Sequence, residues 1–165
     1  MKHEHSVDYE SRASRDDHQS LRLWLRLLAC AYRIERRVRR RLRTQFATTL
    51  PRFDFLAQLE RHPKGLKMGE ISERMMVTGG NVTGIADELE SAGLIVRDPV
   101  PTDRRAYTVR LTSAGRRAFG EMARAHERWI VESMAGLTAR EKTAMFESLA
   151  KLKRHAAIVE SGGAA

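Results

Sequence analysis

Between Thr78 and Ser91 the chain reads TGGNVTGIADELES, and its residue types sort by face. Val82, Ile85, Ala86 and Leu89 recur at helical spacing and form one apolar side. The other side carries Gly79, Gly80, Asn81, Thr83, Gly84 and Asp87. A helix over 79–91, capped by Thr78, would present those groups outward. The side-chain amide of Asn81 matches the major-groove edge of adenine, and Thr83 offers a hydroxyl and a methyl. Backbone N–H groups at Gly79 and Gly80 suit a phosphate at a helix start, where glycine permits close approach. The plainer reading of these glycines is a poor helix start, costing up to ~1 kcal/mol each in a helix interior. Thr78, Gly79, Gly80, Asn81, Thr83 and Asp87 are thus the candidate contacts to double-stranded DNA. Asp87, Glu88 and Glu90 make the second half of the helix acidic. Such carboxylates either accept from cytosine N4 or pair with Arg74 or Arg97.

A second cluster follows. Leu94–Arg97 reads as a strand, residues 98–105 as a turn, and Ala106–Leu111 as an alternating, half-buried strand. Arg104 and Arg105 sit at the tip, where arginines suit a narrow, electronegative minor groove. Asp103 would be repelled by phosphate, so it is expected to steady the loop by pairing with an arginine.

The elements that must hold these residues are legible from spacing. Leu66–Met75 reads as a short helix, and with 79–91 it makes a helix-turn-helix. The hairpin after it is a wing. Pro51–Arg61 forms a short helix before this module, with proline in its first turn. Leu21, Trp24, Leu25, Leu28, Ala31, Ile34, Val38 and Leu42 lay an apolar line along a long helix over 18–46, which Asp16 or Asp17 could cap. A further helix spans about 113–135. Thr138 and Glu141 form a capping box for the last helix. The organisation expected is a disordered tail at 1–15, a dimerisation helix at 16–47, a DNA-binding module at 50–112 and C-terminal dimerisation helices at 113–160. The fold class expected is mainly α (α+β), a winged helix-turn-helix with long terminal helices that hold a second copy of the chain.

Bulk properties narrow the function. The chain of 165 residues carries 30 Lys and Arg against 21 Asp and Glu, for a formal charge of +9, which favours an anionic partner. Arg33, Arg36, Arg37, Arg39, Arg40, Arg41 and Arg43 exceed what the end of one helix needs, and suit phosphates or a partner helix. No segment has the length and apolarity of a membrane span, and no signal-peptide core precedes residue 15. The single cysteine, Cys30, lies in an apolar run, reads as a buried inert thiol, and fits a reducing cytoplasm. The histidines lack metal-ligand spacing, and neither a phosphate-binding glycine loop nor a nucleophile elbow is present. No enzyme activity, cofactor or metal is expected. The competing readings are a winged-helix module that binds protein and one that binds DNA without sequence preference.

The stretch from Gly69 to Gly115 resembles the MarR family of multiple-antibiotic-resistance-type regulators. Leu89, Glu90, Gly93, Leu94 and Arg97 match the family's recognition-helix end and first wing strand. Asp103, Arg104 and Arg105 match its wing, and Leu111, Thr112 and Gly115 match the segment that follows. One departure is clear. The usual aspartate-arginine-leucine-glutamate is Asp87-Glu88-Leu89-Glu90 here, so an arginine is replaced by a carboxylate at Glu88. The resemblance implies a homodimer on a pseudo-palindromic operator, with Arg105 in the minor groove and Asp103 steadying it. It implies a repressor released by a small aromatic effector, of phenolic acid or aromatic acyl-CoA type, bound among helices 1, 2 and 5. Trp24, Leu28, Phe53, Met122, His126 and Trp129 are the candidate lining residues, although ordinary core or dimer packing would also explain their apolar members.

Overall fold

The computed structural model describes residues 18–75, 79–100 and 103–162. The expected tail at 1–15, the capping residues Asp16 and Asp17, and Thr78 lie outside them. The chain forms two compact units, Met1–Glu127 and Arg128–Ala165.

In the first unit α1 spans Gln19–Phe46 and α2 spans Leu50–Glu60. The turn between them is set by Ala47, whose left-handed φ of 48° lets its N–H reach the Leu42 carbonyl. Thr49 then caps α2 by accepting from the Arg52 N–H, with Pro51 in the first turn. Phe53, Phe55, Leu56 and Leu59 bury α2 at the centre of the unit. It packs on α1, on α3 (Met68–Met75), on α4 (Gly79–Ser91) and on the sheet.

One expected element is corrected. Leu66 and Lys67 are not helical but form a short strand, β1. Gly65 turns the chain with a φ of +90° and approaches so closely that a Cβ there would lie 2.4 Å from Thr108 Cγ2. Leu66 and Lys67 then pair with Val109 and Thr108. The Lys67 N–H donates to Glu70 Oε2 at 2.7 Å, so α3 starts two residues later than the apolar spacing suggested.

β1 joins a three-stranded antiparallel sheet of order β1-β3-β2, with β2 spanning Ile95–Val100 and β3 spanning Asp103–Leu111. The strands run further toward the tip than the alternation indicated. Asp98 stands opposite Thr108, and its carboxylate pairs with the diagonal neighbour Arg110 at 2.5 Å. Pro99 is accommodated because β2 is an edge strand, and the register shifts between Pro99 and Val100.

The junction between α4 and the wing explains the Leu111-Thr112-x-x-Gly115 segment. Gly93 has a φ of +69°, and the Leu94 and Gly93 N–H groups donate to the Leu89 and Glu90 carbonyls, closing α4 with a Schellman turn. The Thr112 hydroxyl donates to the Gly93 carbonyl at 2.7 Å and accepts from the Gly115 N–H at 2.9 Å. It therefore caps α5 (Ser113–Ser133) and ties it to the end of α4. A Cβ at Gly115 would lie 1.9 Å from the Leu94 oxygen, so no side chain fits.

The second unit holds the end of α5 and α6, Ala139–Gly162. Thr138 and Glu141 form the expected reciprocal cap, with the Thr138 N–H donating to Glu141 Oε2 at 2.8 Å and the Glu141 N–H to Thr138 Oγ1 at 3.3 Å. The Thr138 N–H, together with the Thr138 hydroxyl donating to the same oxygen at 2.8 Å, holds the Glu141 carboxyl below its ordinary range. Phe146, Leu152, Ile158 and Val159 stand exposed along α6.

Candidate nucleic-acid interface

The two faces of α4 separate as the sequence suggested. Val82, Ala86 and Leu89 are buried against the unit's core, while Asn81, Thr83, Gly84, Asp87 and Glu88 are exposed. Space around Gly84 is open, so a surface can approach the helix closely there. Gly79 and Gly80 open the helix. Asp103, Arg104 and Arg105 lie in β3 at the wing's far end, with Asp103 opposite Val100. Side chains from Val100 to Ala106 lie outside the described set.

The acidic half of α4 is held by arginines from two neighbouring elements. Arg97 on β2 pairs with Asp87 at 2.6 Å and with Glu90 at 3.1 Å. Of the two arginines named from sequence, Arg97 is the one that makes these pairs. Arg52 on α2 pairs with Glu88 at 2.6 Å, a partner the sequence did not indicate. Nothing in local spacing brings residues 52 and 88 together; only the packing of α2 on α4 does.

On the other side of α2 lies a cavity of about 670 Å³, reaching α1, α3 and α5. Phe53 forms part of its wall and packs at 5.4 Å from Phe119 and 5.0 Å from His126, ring centre to ring centre. Glu35, Arg39, Asp54, Arg61 and Arg74 supply charge around it. Burial pushes the Asp54 carboxyl up, with His126 and Arg39 opposing. Burial likewise pulls the His126 imidazole down, with Asp54 opposing.

Of the six candidate effector contacts, Phe53 and His126 line this cavity. Met122 lines a smaller one, about 260 Å³, together with Arg52, Leu56 and Leu89. Trp24 and Leu28 are exposed on α1, and Trp129 is buried in the second unit. Sequence reading missed Asp54, Arg61 and Phe119. Phe119 was recoverable, since it precedes His126 by two helical turns on α5. Cys30 is exposed, a correction to the buried thiol expected, because the apolar run containing it faces outward in the isolated chain. Among the described residues no His, Cys, Asp or Glu cluster could hold a metal ion, and no helix is long and apolar enough to cross a membrane.

Comparison with known proteins bears on this arrangement. The MarR family pattern matches residues 48–106. A solved MarR family transcriptional regulator from Silicibacter pomeroyi is 32% identical, with a TM-score of 0.68, over 89% of this chain and 99% of that one. The chain belongs to the MarR family. Among curated members, the regulator TtmR of Methylorubrum extorquens is 31% identical over 87% of this chain and 72% of its own length. The uncharacterised regulator YfiV of Bacillus subtilis is 31% identical over 64% of this chain. The match spans 66% of YfiV, just under two thirds of that relative. Membership accounts for the winged helix-turn-helix architecture with flanking helices. It does not account for Glu88.

Proposed function

We propose that this MarR-family protein is a homodimeric transcription regulator that binds double-stranded DNA sequence-specifically. Helix α4 enters the major groove, with Asn81 and Thr83 at base edges and the N–H groups near Gly79 and Gly80 at a phosphate. The wing brings Arg104 and Arg105 to the adjacent minor groove. Two copies set the recognition helices about 34–36 Å apart, one turn of the duplex. The observation that carries this reading is the sorting of α4. One face is locked into the core, and the exposed face holds small and amide-bearing residues around an open glycine.

The finer part of the proposal is repression relieved by a small aromatic acid or its thioester. The cavity beside α2 supports it: aromatic walls from Phe53 and Phe119 lie near Arg39, Arg61 and Arg74, which suit a carboxylate or phosphate. An effector there shifts the population toward a half-site spacing that no longer fits the duplex. The test is fluorescence anisotropy on a duplex from upstream of the protein's own gene, across salt concentrations and a panel of aromatic acids and thioesters. Affinity falling linearly on a logarithmic salt scale, with release by one compound, is expected. Affinity indifferent to salt and to every compound refutes both parts.

A further inference from the structure

Glu88 places a negative charge where it opposes binding to a polyanion. Asn81, Gly84 and Glu88 are spaced three and four apart, so they form one line along the exposed side of α4. The line starts with the residue best suited to read a base and ends in a carboxylate that is 60% exposed. The arginine facing that carboxylate is more buried than an ordinary surface partner. Arg52 is 29% exposed, its Nε is buried without a hydrogen-bond partner, and its backbone N–H is fixed by the Thr49 cap. Its side chain borders the small cavity walled by Phe46, Leu56 and Leu89.

Building on the DNA-binding reading above, we propose that Arg52 is a positioning residue for DNA recognition that acts through Glu88. It holds the Glu88 carboxylate toward α2 and cancels its charge on the stripe that meets the duplex. Without Arg52 the carboxylate is released into solvent beside the recognition surface, where phosphates repel it. With Arg52 in place Glu88 contributes nothing attractive of its own; the neutral pair is what DNA meets. The arrangement keeps α4 tied to α2 while leaving its exposed line electrically quiet.

A double-mutant cycle separates this role from its rivals. Wild type, Arg52→Met, Glu88→Gln and the double variant are titrated by anisotropy against a duplex from upstream of the gene and a scrambled duplex. Thermal melting of each protein is recorded alongside. Glu88→Gln is expected to bind within about twofold of wild type, because it removes a carboxylate and no attraction. Arg52→Met is expected to bind about fivefold more weakly, the scale of one exposed charge beside a phosphate. The double variant is expected to recover to within about twofold of Glu88→Gln, because the charge that Arg52 restrained is gone.

A double variant as weak as Arg52→Met overturns the proposal: with melting unchanged it makes Arg52 a direct phosphate contact, and with melting lowered it makes Arg52 a structural anchor. A large loss in Glu88→Gln alone overturns it too, by making Glu88 a base contact. If Arg52→Met shows no cooperative melt, Arg52→Gln replaces it in the same cycle. Wild type that binds neither duplex refutes the DNA-binding reading itself, whereas binding without rescue refutes only the role of Arg52.

Discussion

His126 and Asp54 line one cavity and are shifted in opposite directions from their ordinary values, and the sign of their effect on stability follows. Burial lowers the His126 value, so the folded chain holds that proton less readily than the unfolded one. Stability is therefore full above the unfolded value of ~6.5, and is lost as pH falls from there toward the folded value. Asp54, pushed up by burial, acts in the reverse sense, and its ionisation costs stability as pH rises from ~3.9. His126→Phe removes the first effect. Between pH 7 and 5.5 wild type is expected to lose melting temperature relative to that variant, and a constant difference would contradict the assignment. At the wing, Arg105→Ala is expected to weaken operator binding about tenfold with the dimer intact, the scale of a lost charged contact. Affinity unchanged in the same anisotropy assay would show that the wing makes no such contact. Arg105 and the Arg52–Glu88 pair show what sequence can and cannot deliver. Arg105 stood out because a chain-local pattern surrounds it. The pairing of Arg52 with Glu88 did not, because residues on separate helices meet only through tertiary packing.

At the scale of elements, α4 was legible because Gly93 marks its end and its apolar face repeats cleanly. The last helix was legible through Thr138 and Glu141, whose reciprocal bonds are present. β1 was not, since no turn or breaker residue separates Leu66 and Lys67 from the helix that follows, and only pairing with Val109 and Thr108 makes them a strand. The wing's extent was likewise hidden, because the Asp98–Arg110 pair that extends it joins residues on two strands. Gly115 gives the sharpest test here. Its missing side chain lets α5 start against the Leu94 carbonyl, so Gly115→Ala forces the wing base and α5 apart. The expected cost is about 1–3 kcal/mol, read as a lower denaturant midpoint with an unchanged slope. A midpoint equal to wild type would show that the close approach carries no strain.

The whole molecule leaves apolar side chains uncovered in a single copy. Leu23, Trp24, Leu28 and Tyr32 are exposed on α1, and Phe146, Ile158 and Val159 on α6. A second copy covering them is the simplest account, and it also explains why Cys30, expected buried, and Trp24, expected as an effector contact or as core or dimer packing, face outward in one chain. Phe146 is 77% exposed, so Phe146→Asp costs the isolated chain little. It is expected to shift the mass measured by light scattering from twice 18.8 kDa toward one chain and to weaken DNA binding in step. A dimer unaffected by that change would exclude this face from the interface. The central claim, that the chain reads DNA sequence, is tested most directly by the ratio of two affinities. One is for a duplex from upstream of the protein's own gene, the other for its scrambled counterpart, at one fixed salt concentration near physiological. The account predicts a preference of about 10³-fold or more. Equal affinity for the two duplexes would contradict it.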